Sequence, residues 1–234
     1  MPLHQIALWV MLFFLLAGLA GIASAHGVAN ADATFLESVR GVAAGPFVYL
    51  GAKHMVTGYD HLLFLAGVVF YLYRLKDVAV YVSLFALGHS ITLLSGVLAG
   101  WHISAWLVDA VIGFSVVYKA LDNMDIAGFS AVWRRYTPDS RLAVLLFGLV
   151  HGLGLATKLQ DFQLAPDGLI ANMLFFNLGV ELGQLLALAL ILFVLNLLRR
   201  LGCFTALALQ LNLALLVAGL LLMGYQLTGY LLVG

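Results

Sequence analysis

Charged residues are scarce in this chain. Lysine, arginine, aspartate and glutamate make up only 9% of its 234 residues, whereas an ordinary soluble domain carries about 25%. Water solvates such a surface poorly, which excludes a soluble enzyme and a disordered protein. Eleven basic residues are matched by eleven acidic ones, so the chain has no basic excess with which to bind nucleic acid.

Cysteine is almost absent as well. The single thiol, Cys203, excludes an intramolecular disulfide and any cysteine-rich metal site. The sequence also lacks a Walker phosphate-loop motif for ATP hydrolysis. Apolar residues, in contrast, are abundant: 64% of the chain is hydrophobic and the mean hydropathy is +1.07. These values predict an all-α polytopic membrane protein with one domain.

The N-terminus has features of a signal peptide. An apolar stretch over residues 6–22 is followed by Ala23-Ser24-Ala25, a small-x-small cleavage pattern. We therefore predict a signal peptide over residues 1–25, with an uncleaved first helix as the alternative. Cleavage would make His26 the first residue, and its α-amino group and imidazole together can chelate a divalent metal.

The remaining chain divides into a short polar segment and a membrane region. Residues 26–45 are polar and rich in small residues, and we expect them to form a periplasmic segment. Crossing a bilayer core of about 30 Å takes about 20 apolar helical residues, which predicts a six-helix transmembrane domain over residues 46–234. The predicted spans are 46–73, 78–100, 103–121, 142–159, 170–198 and 204–232.

Lysine and arginine set the predicted orientation, because they favour the cytoplasmic side. With residue 26 outside, the cytoplasmic side carries Arg74, Lys76, Lys119, Arg134, Arg135, Arg141, Arg199 and Arg200. The outside keeps only Arg40, Lys53 and Lys158. This bias predicts a multi-pass protein of a bacterial inner membrane. Both mature termini are predicted to be periplasmic, and the loop 122–141 cytoplasmic.

Ionisable side chains are costly inside a bilayer, and here they recur within the predicted spans. Imidazoles and carboxylates together favour borderline divalent metals such as Ni²⁺, Co²⁺ or Zn²⁺. Beside His26, the candidate metal ligands are His54, Asp60, His61, His89, Asp109, His151 and Glu181. A polar contact between helices is the alternative role for each. We expect His61 and His89 to bind the metal directly.

The spacing of His54 and His61 poses a geometric problem. On a straight helix they share a face but lie about 10.5 Å apart along the axis, too far for two bonds of about 2.1 Å to one ion. Either the helix unwinds near Gly58, or the two histidines belong to successive sites. Asp60 is predicted to bind the metal itself or to hydrogen-bond a ligating histidine.

The sequence also contains a weak internal repeat. The segment Phe85–Leu93 resembles Phe147–Leu155, and each holds a histidine four residues after its phenylalanine. Both segments lie on predicted spans that run in the same direction. The similarity predicts a parallel repeat of helix pairs that places His89 and His151 in equivalent positions.

These motifs resemble those of the HupE/UreJ family of membrane proteins. The matching segments are His54 with Gly58-Tyr59-Asp60-His61-Leu62-Leu63-Phe64, Leu87-Gly88-His89-Ser90-Ile91-Thr92-Leu93, His151-Gly152-Leu153-Gly154 and Asn177-Leu178-Gly179-Val180-Glu181-Leu182-Gly183-Gln184. The resemblance covers nearly the whole mature chain. It implies a role in nickel delivery for hydrogenase and urease, and a likeness to nickel/cobalt permeases. Those permeases carry His-x4-Asp-His, whereas this chain has His-x5-Asp-His.

Three functions are consistent with these features. The leading hypothesis is an inner-membrane permease for a Ni²⁺- or Co²⁺-type ion. In it, His26 or His54 captures the ion outside, and Asp60, His61 and His89 form the first internal site. The side chains of His151 and Glu181 complete that site or relay the ion inward. An intramembrane zinc hydrolase of lipid-like substrates is the alternative, and a metal-binding accessory protein is the third. The expected partners are the lipid bilayer, the divalent ion and proteins of metalloenzyme maturation.

Overall fold

A computed structural model of the chain describes residues 38–124, 139–160, 166–202 and 204–233. These residues form α-helices and connecting segments, without strands among them. In chain order the helices are α1 Ala44–Thr57, α2 Tyr59–Val69, α3 Leu75–Ala99, α4 Ala105–Met124, α5 Ser140–Gln160, α6 Leu169–Arg200 and α7 Phe204–Val233. The predicted signal peptide, His26 and most of the loop 122–141 lie outside the described residues.

Within the described ranges, four helices are long and apolar enough to cross a membrane, namely α3, α5, α6 and α7. The described part of the chain is therefore all-helical, and the protein is a multi-pass membrane protein, as predicted. Helix α4 has 20 residues but is not among these four helices, because Asp109, Lys119 and Asp122 make it less apolar. The predicted span 46–73 is divided at Gly58 into two shorter helices, α1 and α2.

The helices pack as three close pairs: α1 with α6, α3 with α5, and α4 with α7. We call the end of the bundle where α1 begins proximal, and the opposite end distal. At the proximal end, Asn172 of α6 accepts a hydrogen bond from the Ala43 N–H and donates one to the Gly41 carbonyl. At the distal end, Arg199 of α6 donates to the Phe70 carbonyl just after α2. Helices α1, α2 and α6 therefore all run from proximal to distal.

Helices α3 and α5 run the other way, parallel to each other. Phe85 of α3 lies against Gly148 of α5, and Gly96 near the end of α3 lies against Ala156 near the end of α5. Helix α3 begins a few residues after Phe70, so both helices start at the distal end. Helices α4 and α7 are antiparallel, because the start of α4 lies against the end of α7.

Glycines allow the two helices of each pair to approach until their backbones are in contact. A Cβ on Gly51 of α1 would overlap the Phe176 carbonyl of α6, and one on Gly179 of α6 would overlap the Val48 carbonyl of α1. In lipid, where apolar tails compete with apolar side chains, such small residues supply much of the packing energy between helices. The pairs consequently hold the intervening polar side chains at fixed positions.

Candidate metal centre

The centre is built around the break between α1 and α2. Gly58 ends α1 by donating its N–H to the His54 carbonyl, and its extended backbone (φ −74°, ψ 99°) lets α2 begin anew at Tyr59. This break brings the rings of His54 and His61 to a centroid distance of 5.0 Å. The unwound alternative from the sequence is therefore the one that the structure adopts.

His54, His61 and His89 form a cluster whose ligand nitrogens all lie within 4.8 Å of one another. His89 enters from α3, with its ring centroid 5.8 Å from that of His61. His61 is 3% exposed and His89 is fully buried. Three neutral imidazoles with a free fourth position are a common donor set for Zn²⁺, and they also suit Ni²⁺ and Co²⁺.

His151 of α5 extends this cluster on another side of His61, at a centroid distance of 5.0 Å. Its Nδ1 lies 2.7 Å from the Phe147 carbonyl, and because a carbonyl can only accept, Nδ1 carries the proton. The lone pair is then on Nε2. His89 and His151 lie side by side on parallel helices, in the equivalent positions that the internal repeat predicts.

Asp60 contacts His61 directly. Its Oδ1 lies 2.9 Å from the His61 Nδ1 and also accepts the His61 backbone N–H at 2.9 Å. The carboxylate thereby fixes the tautomer with a proton on Nδ1, which leaves the Nε2 lone pair of His61 for a metal. A carboxylate behind the ring also makes that nitrogen a stronger donor.

The remaining ring nitrogens are buried without hydrogen-bond partners in the described part of the chain. They are Nε2 of His54, His61 and His151 and both nitrogens of His89. Buried polar atoms are rarely left unpaired, and each one costs about 1–3 kcal/mol. Each of these rings has one lone pair to offer, and a cation bound among them would accept it, so the donor set fits a divalent transition metal.

A layer of three phenylalanines lies on the distal side of the cluster. Phe64, Phe85 and Phe147 each stand one helical turn distal of the histidine on the same helix. The ring centroid of Phe64 is 5.4 Å from that of Phe85 and 5.7 Å from that of Phe147. This apolar layer separates the histidines from the distal half of the bundle.

An ion pair lies on the proximal side. The Lys158 Nζ is 2.9 Å and 3.1 Å from the two carboxylate oxygens of Asp109. Lys158 lines the same small cavity as His54, His61 and His151. The structure therefore places Asp109 beside a lysine instead of within the imidazole cluster. From the sequence Lys158 is one of the three basic residues on the outer side, and its position seven residues after His151 puts both on one helix face.

Glu181 lies away from the cluster. Its side chain is exposed on the surface of α6, as are those of Leu178 and Leu182. The structure thus brings together His54, His61, His89 and His151 with Asp60, and it does not bring Glu181 to them. His26 belongs to the part of the chain outside the described residues.

Comparison with known proteins identifies one family. The family profile described as HupE / UreJ protein matches residues 30–233, a range that contains every residue described structurally. No curated protein and no solved structure matches the chain. The match covers all four motifs on which the sequence resemblance rests.

Proposed function

Since the chain belongs to the HupE/UreJ family, we propose that it is an inner-membrane permease for a transition metal of the Ni²⁺ or Co²⁺ type. The observation that carries this proposal is the group of four imidazoles inside a bundle of apolar helices, with ring nitrogens that have no hydrogen-bond partner among the described residues. Borderline nitrogen donors favour Ni²⁺, Co²⁺ and Zn²⁺ over hard cations. The ion is the cargo in this scheme.

We propose six membrane crossings, with α1 and α2 together forming the first. Helices α3 and α5 are parallel, so α4 must return the chain from the proximal to the distal end between them. Its 20 residues extend about 30 Å, one bilayer core. The pair α1–α2 begins beside the start of α6 and ends beside the end of α6. Since α6 by itself is long enough to cross a membrane, α1 and α2 together cover the same distance.

The basic residues support a periplasmic proximal end. Arg74, Lys76 and Arg141 lie at the distal ends of α3 and α5, and Arg199 and Arg200 end α6 at the same level. An excess of lysine and arginine favours the cytoplasm. A cation entering from the proximal side then moves with the membrane potential, which favours inward movement of a +2 ion by about 4.6 kcal/mol per 100 mV.

Cysteine labelling tests this orientation. In a Cys203→Ser background, a cysteine at Ser140, the distal start of α5, should not react with a membrane-impermeant maleimide applied to intact cells. A cysteine at His102, in the proximal connection between α3 and α4, should react under the same conditions. Labelling of the Ser140 position but not the His102 position would reverse the proposed orientation.

In the proposed pathway the ion binds first among His54, His61 and His89. His151 offers the next nitrogen, on the other side of His61, and is also the donor closest to the phenylalanine layer. Passage towards the distal side then requires the rings of the phenylalanine layer, Phe64, Phe85 and Phe147, to move. If the mature chain begins at His26, its amino-terminal chelate would deliver ions to the proximal entrance.

The phenylalanine layer also favours a second candidate, an intramembrane zinc hydrolase. A cavity closed on one side can hold a metal with an open coordination position for an activated water. A non-transporting accessory protein would equally bind a metal without releasing it across the membrane. The permease differs from both in requiring net movement of the ion.

Uptake of radioactive Ni²⁺, Co²⁺ and Zn²⁺ into proteoliposomes therefore tests the proposal. A permease should accumulate at least one of these ions above protein-free vesicles, in response to an imposed inside-negative potential. Stoichiometric binding in detergent without uptake would contradict transport and leave the enzyme or accessory function. Absence of both binding and uptake would contradict a metal role altogether.

The role of Asp60 can be measured separately. Asp60→Asn should weaken Co²⁺ or Ni²⁺ affinity by about 10- to 100-fold, the usual effect of losing a carboxylate that orients a ligating histidine. Asp77→Asn, the same substitution at the distal start of α3, is the matched control and should leave affinity unchanged. Complete loss of binding in Asp60→Asn would instead make Asp60 a ligand, and an unchanged affinity would exclude both roles.

A further inference from the structure

We infer that Asp109 and Lys158 form a charge-exchange gate at the proximal entrance of the metal cavity. An entering divalent cation contacts the Asp109 carboxylate before it reaches the histidines, and the tethered ammonium of Lys158 holds that carboxylate until the cation displaces it. The inference rests on the proposed metal transport and assigns the residues that select the charge of the cargo.

The ion pair of Asp109 and Lys158 lies on the proximal side of the histidines. Lys158 lies seven residues after His151 on α5, about 10.5 Å closer to the proximal end. Asp109 is in the first turns of α4, at the same end of the bundle. Gly154 lies between them and the histidines, and a Cβ built on it would stand 3.4 Å from the Asp109 Oδ1. The glycine thus leaves space along the wall that connects the ion pair to the cluster.

The two partners differ in their access to water. The Lys158 side chain is 24% exposed, whereas that of Asp109 is 6% exposed. A displaced ammonium on a flexible four-carbon stem can therefore move towards solvent and be hydrated. The carboxylate has no comparable route, and a buried carboxylate is costly without a compensating cation. Lys158 is accordingly the mobile member of the pair and Asp109 the fixed one.

Exchange at this carboxylate discriminates by charge. A monovalent cation that replaces the ammonium exchanges one unit charge for another and gains little electrostatic energy. A divalent cation brings twice the charge to the same carboxylate, which compensates for releasing Lys158. Beside Lys158, the charged or ligating groups that line the cavity are Asp60 and the imidazoles of His54, His61 and His151. A lysine fixed permanently at the entrance would repel every cation that approaches them.

A charge series tests the gate, with Co²⁺ as the probe. The variants are Lys158→Met, Asp109→Asn and the double variant, measured by equilibrium binding in detergent and by initial uptake into proteoliposomes. Lys158→Met makes the entrance more negative and should raise the apparent Co²⁺ affinity at least tenfold, with new competition by K⁺. Asp109→Asn makes it more positive and should lower the initial uptake rate at least tenfold. The double variant restores the net charge and should lie within threefold of wild type.

Lys76→Met and Asp77→Asn make the same charge changes at the distal end and should alter neither measurement. Thermal unfolding of every variant reports the structural contribution of the ion pair. Effects of the two single variants in the same direction would show a purely structural pair and overturn the gate. A double variant no better than the worse single one would also overturn it, because restored neutrality would then not restore binding or uptake. Failure of the wild type to bind Co²⁺ would overturn the proposed function and the gate together. If the wild type binds and takes up Co²⁺ but Lys158→Met and Asp109→Asn do not have opposite effects, the gate alone would be overturned.

Discussion

Replacing His61 or His89 by alanine should abolish binding of Ni²⁺ and Co²⁺. The three clustered nitrogens lie within 4.8 Å of one another, so each substitution leaves at most two of them for the ion. Loss of a partner that only orients a ligand weakens affinity by about 10- to 100-fold. Loss of the ligand itself should exceed that range, and uptake into proteoliposomes should fall to the level of protein-free vesicles.

The fold should persist in the His89 variants, because neither ring nitrogen of His89 has a hydrogen-bond partner among the described residues. His61→Ala also removes the contact of Nδ1 with the Asp60 carboxylate, so its stability is measured beside its affinity. His89→Gln keeps most of the side-chain volume and separates the loss of a ligand from the loss of packing. His102→Ala is the matched control, since His102 is exposed and its Nδ1 bonds to the carbonyl of Gly100, two residues away. Equilibrium binding and thermal unfolding in detergent provide the measurements. Variants that fold and retain wild-type affinity would place the metal site elsewhere.

All four histidines around the candidate centre were candidates from the sequence, because the background is so apolar. A charged or imidazole side chain in a predicted span must have a reason, and the rings of His54, His89 and His151 do lie around that of His61. The break at Gly58 was one of two alternatives, since sequence spacing alone cannot decide whether a helix unwinds.

Rotation of the helices about their own axes was much harder to predict. Glu181 and Gln184 fall on one helical stripe, yet Glu181 is exposed and Gln184 is buried with its amide bonded to the Val82 carbonyl. Helix α6 is apolar on nearly every side, so hydropathy does not identify its buried face. Backbone contacts with α1 through Gly179 and Gly183 decide it. The partnership of Lys158 with Asp109 likewise depends on how α4 and α5 are rotated.

The close contact between α3 and α5 leaves no room for a side chain at Gly152, so Gly152→Ala should have a large effect. A methyl group at Gly152 would overlap the His89 carbonyl and the Thr92 hydroxyl. The same hydroxyl donates a hydrogen bond of 2.6 Å to the Leu149 carbonyl and links the two helices. Backbone cannot turn aside as a flexible side chain can, so α3 and α5 must separate and carry His89 away from His61.

We expect Gly152→Ala to weaken Co²⁺ affinity at least 100-fold, because metal–ligand distances tolerate only about 0.2 Å of displacement. Two effects on stability oppose each other: alanine favours a helix over glycine by about 1 kcal/mol, whereas overpacking costs about 1–3 kcal/mol. Gly224→Ala in α7 isolates the first effect, since a Cβ there meets nothing within 4 Å. Gly224→Ala should therefore unfold at or above the wild-type temperature with unchanged affinity, and Gly152→Ala below it. Equal unfolding temperatures and affinities for the two variants would show that the α3–α5 contact does not position His89.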